Sequence, residues 1–160
     1  MGSMSRKLSA AEDRKDFITI VSGLPRSGTS MMRMLKVWGM EIVTDNIRKA
    51  DEDNPGGYYE DERVKRMKED SSWLNECHGK AVKVISLLLY DLPSGRKYKI
   101  IFMRREMEEI LASQRVMLQR RGAREDDVTE QELGESFGKH LRAVEEWLAT
   151  QKNMDVLYLQ

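Results

Sequence analysis

A run of β-branched and aromatic residues, Phe17-Ile18-Thr19-Ile20-Val21, leads into Gly23-Leu24-Pro25-Arg26-Ser27-Gly28-Thr29-Ser30, and a helical pattern begins directly behind it. No other feature constrains the fold as strongly. The run suits a buried strand that Gly23 brings to an end. Beyond the loop, Met31, Met34, Leu35 and Trp38 recur at helical spacing, and Gly39 stands where a left-handed cap belongs. A strand, a glycine-containing loop and a helix N-terminus together aim backbone N–H groups and the positive end of the helix dipole at one point. Phosphate-like anions bind readily at such a point.

The alternation continues along the chain. Glu41-Ile42-Val43 predicts a short second strand, Ala81-Val82-Lys83-Val84-Ile85 a third, Tyr98-Lys99-Ile100-Ile101-Phe102-Met103 a fourth, and Met154-Asp155-Val156-Leu157-Tyr158-Leu159 a last one. Between them, Val64, Met67 and Leu74 mark one face of a helix over 59–76. Met107, Ile110, Leu111 and Leu118 mark a second helix, and Leu133, Phe137, Leu141, Val144 and Leu148 mark a third over 131–152. The segment 44–57 is polar, and Asn54-Pro55-Gly56-Gly57 fits a type II turn, so it reads as a long functional loop. Strands alternating with helices predict an α/β fold of three layers, a central and mainly parallel sheet flanked by helices, with ligands beyond the carboxyl ends of the strands.

At 160 residues the chain has the size of one domain. Residues 1–16 are charged and lack an apolar face, and Met1-Gly2-Ser3-Met4 reads as a leftover tag, so a single domain is expected over 17–160. Ending at Gln160 directly after a strand is odd for a complete α/β domain, and the expectation therefore includes a truncated C-terminus. Lys and Arg balance Asp and Glu at 27 each, which gives no reason to invoke nucleic acid or an acidic membrane as partner. Any anion site must be local. The single Cys77 leaves no internal disulfide framework, and no apolar run approaches the roughly 20 residues that span a bilayer. A cytoplasmic protein is the default. Oligomeric state is not legible, and the eleven Met residues read as flexible core filling.

The loop has the Gly23 and Gly28 spacing of the nucleotide triphosphatase loop G-x-x-x-x-G-K-[ST]. Its Lys position, however, holds Thr29, and the positive charge sits earlier, at Arg26. That shift argues against ATP. Pro25-Arg26-Ser27-Gly28-Thr29-Ser30 resembles the phosphosulfate loop of the sulfotransferases, the P-loop family that uses 3′-phosphoadenosine 5′-phosphosulfate (PAPS), including its small bacterial-type members. By that resemblance Arg26, Ser27, Gly28, Thr29 and Ser30 would hold the 5′-phosphosulfate. Arg26 would also neutralise charge on the bridging oxygen as the sulfonate leaves. The plainer alternative is a strand–turn–helix in which Ser and Thr merely cap the helix.

The same nucleotide carries a 3′-phosphate, and in the family an Arg at a strand end and a Ser eight residues on hold it. Arg105 and Ser113 stand at that spacing after the fourth strand. A forked guanidinium and a hydroxyl suit a pair of phosphate oxygens. Arg104 competes by adjacency, and spacing favours Arg105.

Transfer to an alcohol or amine needs a group that accepts the acceptor's proton. Cytosolic members of the family use a His two residues after a Lys on the third strand, and other branches use a Glu; Lys83 matches the Lys, but Ile85 occupies the His position. Lys83 would sit near the transferred group, unless it lies at a sheet edge facing water. His78 and His140 both read as surface or core residues. The run Asn54-Pro55-Gly56-Gly57-Tyr58-Tyr59-Glu60 is similar to one in small bacterial members, which makes Glu60 the candidate base, with Asp61 and Glu62 behind it and Tyr58 and Tyr59 as possible pocket walls. A Glu in a first helical turn is also favoured by the dipole alone. The cluster Arg115, Arg120, Arg121 and Arg124 is balanced by Glu125, Asp126 and Asp127 and reads as a solvated helix end.

The resemblance thus implies a PAPS-dependent sulfotransferase, a transferase moving a sulfonate to a hydroxyl or amine, with adenosine 3′,5′-bisphosphate as product and no metal required. Its partners would be the small-molecule nucleotide and an acceptor. The family's C-terminal glycine-rich segment is not present. Two other classes stay open: a P-loop kinase using ATP and magnesium, and a nucleotide-binding module without catalysis.

Overall fold

The strand that precedes the glycine loop lies inside the sheet, with a neighbour on each side. The computed structural model describes residues 16–24, 28–44, 61–120 and 130–160. Strands β1 (Ile18–Gly23), β2 (Ala81–Lys83), β3 (Tyr98–Met103) and β4 (Met154–Leu159) form one all-parallel sheet in the order β2-β1-β3-β4. Helices α1 (Thr29–Val37), α2 (Met107–Arg120) and α3 (Glu130–Thr150) complete an α/β fold. Glu41-Ile42-Val43, read as a strand, joins beyond β2 through one parallel bridge, Ile42 to Ala81, with Ala81 N–H donating to the Glu41 carbonyl at 3.0 Å and Val43 N–H to the Ala81 carbonyl at 2.9 Å.

All six residues of β1 are buried, as expected for a parallel strand covered on both faces. Side chains alternate between two cores. Val21 and Ala81 pack against Met31, Met32 and Leu35 of α1. On the opposite face Ile18, Ile20, Val82, Val84, Tyr98, Ile100 and Phe102 meet Val64, Met67, Leu74 and Leu89, together with Val144 and Leu148 of α3. Each fully buried Ile, Leu or Phe stabilises the fold by about 1.5–3 kcal/mol. The Tyr98 hydroxyl is drawn into this core and donates to the Pro93 carbonyl at 2.8 Å, and burial pushes its pKa up to about 12.

Three local expectations change. The face of α1 that meets the sheet is Met31, Met32 and Leu35, whereas Met34 and Trp38 point outward, Trp38 being 69% exposed. The single helix expected over 59–76 is instead two 3-10 helices, Glu62–Arg66 and Ser72–Glu76. Asp70 interrupts it: its carboxylate accepts from Ser72 N–H at 3.0 Å and Ser72 Oγ at 2.6 Å, a local bond that competes with continuing the helix. The third strand stops at Lys83, two residues early, because Ile85 caps a further 3-10 helix at Ser86–Asp91. Gly39 does hold the left-handed position after α1, with φ 94°.

Candidate anion-binding site

Four residues converge where β1 gives way to α1. The register sets Val21 beside Lys83, so both project toward the α1 face of the sheet. Gly28 is the N-cap of α1, with φ 98°, and a Cβ built on it would come within 2.9 Å of Val21 Cγ1. Only glycine meets both demands, the left-handed backbone and the close approach to the strand. Lys83 is 7% exposed, and its ammonium donates to Thr29 Oγ1 at 2.9 Å. The open-edge alternative for Lys83 is therefore set aside.

The electrostatics of this corner favour an anion. Gly28 offers no side-chain cap to the first turn of α1, and that turn holds no acidic residue. The helix end carries the equivalent of roughly half a positive charge, and the Lys83 amine reaches the same turn through Thr29 Oγ1. Hydroxyls on Thr29 and Ser30, backbone N–H groups and a buried ammonium make a donor set fitted to a sulfate- or phosphate-like group. Ser22, next to Gly23 on β1, is 1% exposed, and its Oγ has no hydrogen-bond partner among the described residues.

The second expected pair is carried on elements adjoining the first. Gly23 lies in register with Met103 at the end of β3, so Arg105 follows the strand next to the glycine loop. Arg105 is half-exposed and stands 3.6 Å from Glu109, while Ser113 is half-buried on α2. Arg104, the competitor, is committed elsewhere: its Nε donates to Glu145 Oε1 at 2.9 Å, and its guanidinium lies 4.0 Å from the Tyr158 ring centre. Arg26, Ser27, Tyr58, Tyr59 and Glu60 lie outside the described residues. Asp61, behind Glu60, is buried and spoken for. Its carboxylate accepts from Arg63 N–H at 3.0 Å, Nε at 3.0 Å and Nη2 at 2.8 Å, and this bonding raises the Arg63 pKa.

One pair escaped the sequence reading. Ser86, 1% exposed, places its Oγ 2.7 Å from His140 Nε2. The two residues are 54 positions apart and share no motif, so only the fold could join them. Burial holds the His140 pKa below its ordinary value. His78, by contrast, lies 3.2 Å from Arg96 Nη1 on the surface side.

Among the described residues no group of three or more His, Cys, Asp or Glu could hold a metal ion, and no helix is long and apolar enough to cross a membrane. Comparison with protein-family models, with curated proteins and with solved structures finds no match to this chain.

Proposed function

We propose that this chain is a sulfotransferase on a three-layer P-loop fold, moving a sulfonate from PAPS to a hydroxyl or amine. The observation that carries the proposal is the buried Lys83 bonded to Thr29 at the uncapped start of α1. A buried ammonium requires a partner or a ligand, and here it shares an anion-favouring corner with a glycine cap. The parallel sheet with the loop leaving a central strand supports the P-loop assignment.

In this reading Arg26, Ser27, Gly28, Thr29 and Ser30 hold the 5′-phosphosulfate. Lys83 and Arg26 stabilise the charge that grows on the bridging oxygen as the sulfonate departs. Arg105 and Ser113 hold the 3′-phosphate, Arg105 giving up its contact with Glu109 to do so. The absence of a Lys at the Thr29 position is what separates this loop from one built for ATP.

The test is calorimetric titration of adenosine 3′,5′-bisphosphate into the wild type, Lys83→Met, Arg26→Ala and Arg105→Ala. Losing a hydrogen bond to a charged group costs about 1.5–3 kcal/mol, so each variant should bind roughly 10- to 150-fold more weakly. A wild type that ignores this nucleotide and binds ATP with magnesium would replace the proposal with a kinase. Normal affinity with no sulfonate transfer to any of a broad acceptor panel would leave a binding module.

A further inference from the structure

We propose that His140, anchored by Ser86, is the residue that accepts the acceptor's proton, a role that rests on the sulfotransferase reading above. Position comes first. Ser86 opens the 3-10 helix that follows β2, three residues beyond Lys83, and a three-residue span reaches at most about 10 Å. The Ser86 Cα therefore lies within about 10 Å of the Lys83 Cα past the end of β2, with the His140 ring on the α3 side of the sheet and the Lys83 side chain on the α1 side. Helix α3 feeds β4 and runs back against the strands, and its Glu145 meets Arg104 just past the end of β3. His140 lies more than a turn earlier on α3, about 7 Å further along the axis, and so stands beyond the carboxyl ends of the strands. Open α/β sheets bind their ligands there.

Chemistry comes second. When Nε2–H donates to Ser86 Oγ, the lone pair resides on Nδ1, and among the described residues no hydrogen bond to Nδ1 is found. Taking up a proton on Nδ1 leaves the Nε2–H···Oγ bond intact, so the anchor serves both the resting and the protonated ring. Ser86 is buried while the ring is only half-buried, so Nε2 is fixed at the core and part of the ring reaches the surface. Burial also keeps the ring neutral near pH 7, the state a proton acceptor needs.

The step balances without redox change. The acceptor O–H passes its proton to His140 Nδ1, and the oxygen's electron pair forms the new bond to sulfur. The sulfur–oxygen bond to the nucleotide phosphate breaks, and its electron pair stays on the departing adenosine 3′,5′-bisphosphate. The imidazolium then returns its proton to solvent. Ser86 acts as a positioning residue that selects the tautomer.

Two measurements on the full chain test this. Long-range proton–nitrogen NMR, with His78→Gln used to assign the two histidines, should show Nδ1 unprotonated in the neutral His140 ring, and Ser86→Ala should mix the tautomers. Radiolabelled PAPS supplies the second readout, with water as the acceptor. Release of inorganic sulfate should fall about 100-fold in His140→Gln, while affinity for adenosine 3′,5′-bisphosphate stays within about twofold. A neutral ring carrying its proton on Nδ1 would overturn the proposal. So would a His140→Gln rate within about threefold of wild type, a wild type that binds nucleotide yet releases sulfate only at the uncatalysed rate, or loss of activity in Glu60→Gln but not in His140→Gln. Failure of the wild type to bind the nucleotide would sink the sulfotransferase reading, and this role with it.

Discussion

Arg104 Nε donates to Glu145 Oε1 at 2.9 Å, and Arg104 Nη2 stands 2.9 Å from the same oxygen, so the chain leaving β3 is pinned to α3. Tyr158 supplies a ring face on the other side. The neighbouring Arg105 is half-exposed, with its Nε 3.6 Å from Glu109 Oε2. The two arginines should therefore separate stability from binding. Arg104→Ala is expected to cost about 1 kcal/mol in urea unfolding, a modest figure because the pair is partly solvated, and to leave affinity for adenosine 3′,5′-bisphosphate unchanged. Arg105→Ala is expected to weaken that affinity about tenfold and to change stability by less than about 0.5 kcal/mol.

Gly28 and Gly39 share a left-handed backbone but differ in surroundings. A Cβ at Gly39 meets nothing within 4 Å, whereas one at Gly28 meets Val21 Cγ1 at 2.9 Å. Gly39→Ala should cost about 1–2 kcal/mol, from backbone strain alone. Gly28→Ala should cost more, because the strand or the start of α1 must also shift. Equal unfolding midpoints for the two variants would contradict the close packing of loop on strand.

Cys77 is 2% exposed, and burial pushes its thiol pKa up, with Arg63 and Lys80 pulling weakly the other way. The thiolate is the reactive form, so the folded protein should react with an aromatic disulfide reagent at least about 10 times more slowly than the denatured chain at the same pH. Rapid native labelling would show that the core around Trp73 and Leu74 opens easily.

The pH dependence of stability carries a signature of His140. Its folded pKa lies below the ordinary 6.5, so the unfolded chain binds the proton first as pH falls. The stability this contributes is fully present above the unfolded pKa. It drains away as pH drops below about 6.5 and levels off once the folded ring is protonated as well. Urea midpoints measured from pH 7.5 down to 5.5 should therefore fall more in wild type than in His140→Gln. Parallel profiles would mean that the ring is not buried as described.

Much of the architecture was legible because its signals are local. The runs at Ile18–Gly23 and Tyr98–Met103 are short and rich in β-branched or aromatic residues, Met154–Leu159 is short and mostly apolar, and each is a strand. Gly39 announced the end of α1 through the one conformation glycine tolerates best. The rotation of α1 was not legible, since Met31, Met32, Met34, Leu35 and Trp38 offer two overlapping apolar faces, and only the sheet selects between them. The break at Asp70 hid behind a good helical period, because a side-chain bond to the next turn leaves no trace in apolar spacing.

In the candidate site, Lys83 stood out as a charge within an apolar strand, and its burial follows from that pattern. The bond to Thr29 needed the register between β1 and β2, which sequence does not specify. Ser86 and His140 were less visible still. A serine at the start of a 3-10 turn and a histidine on a mixed helix face are ordinary residues until the fold brings them to 2.7 Å.

The placement of β1 also governs the order in which the chain can assemble. It is made before its partners Ala81–Lys83 and Tyr98–Met103, which lie far downstream. A nascent chain therefore carries Ile18–Gly23 as an unpaired, apolar segment until both later strands have left the ribosome. Loop closure must be met before any pairing rewards it, so folding should be slow, and the chain most prone to aggregate, while those later strands are still unmade.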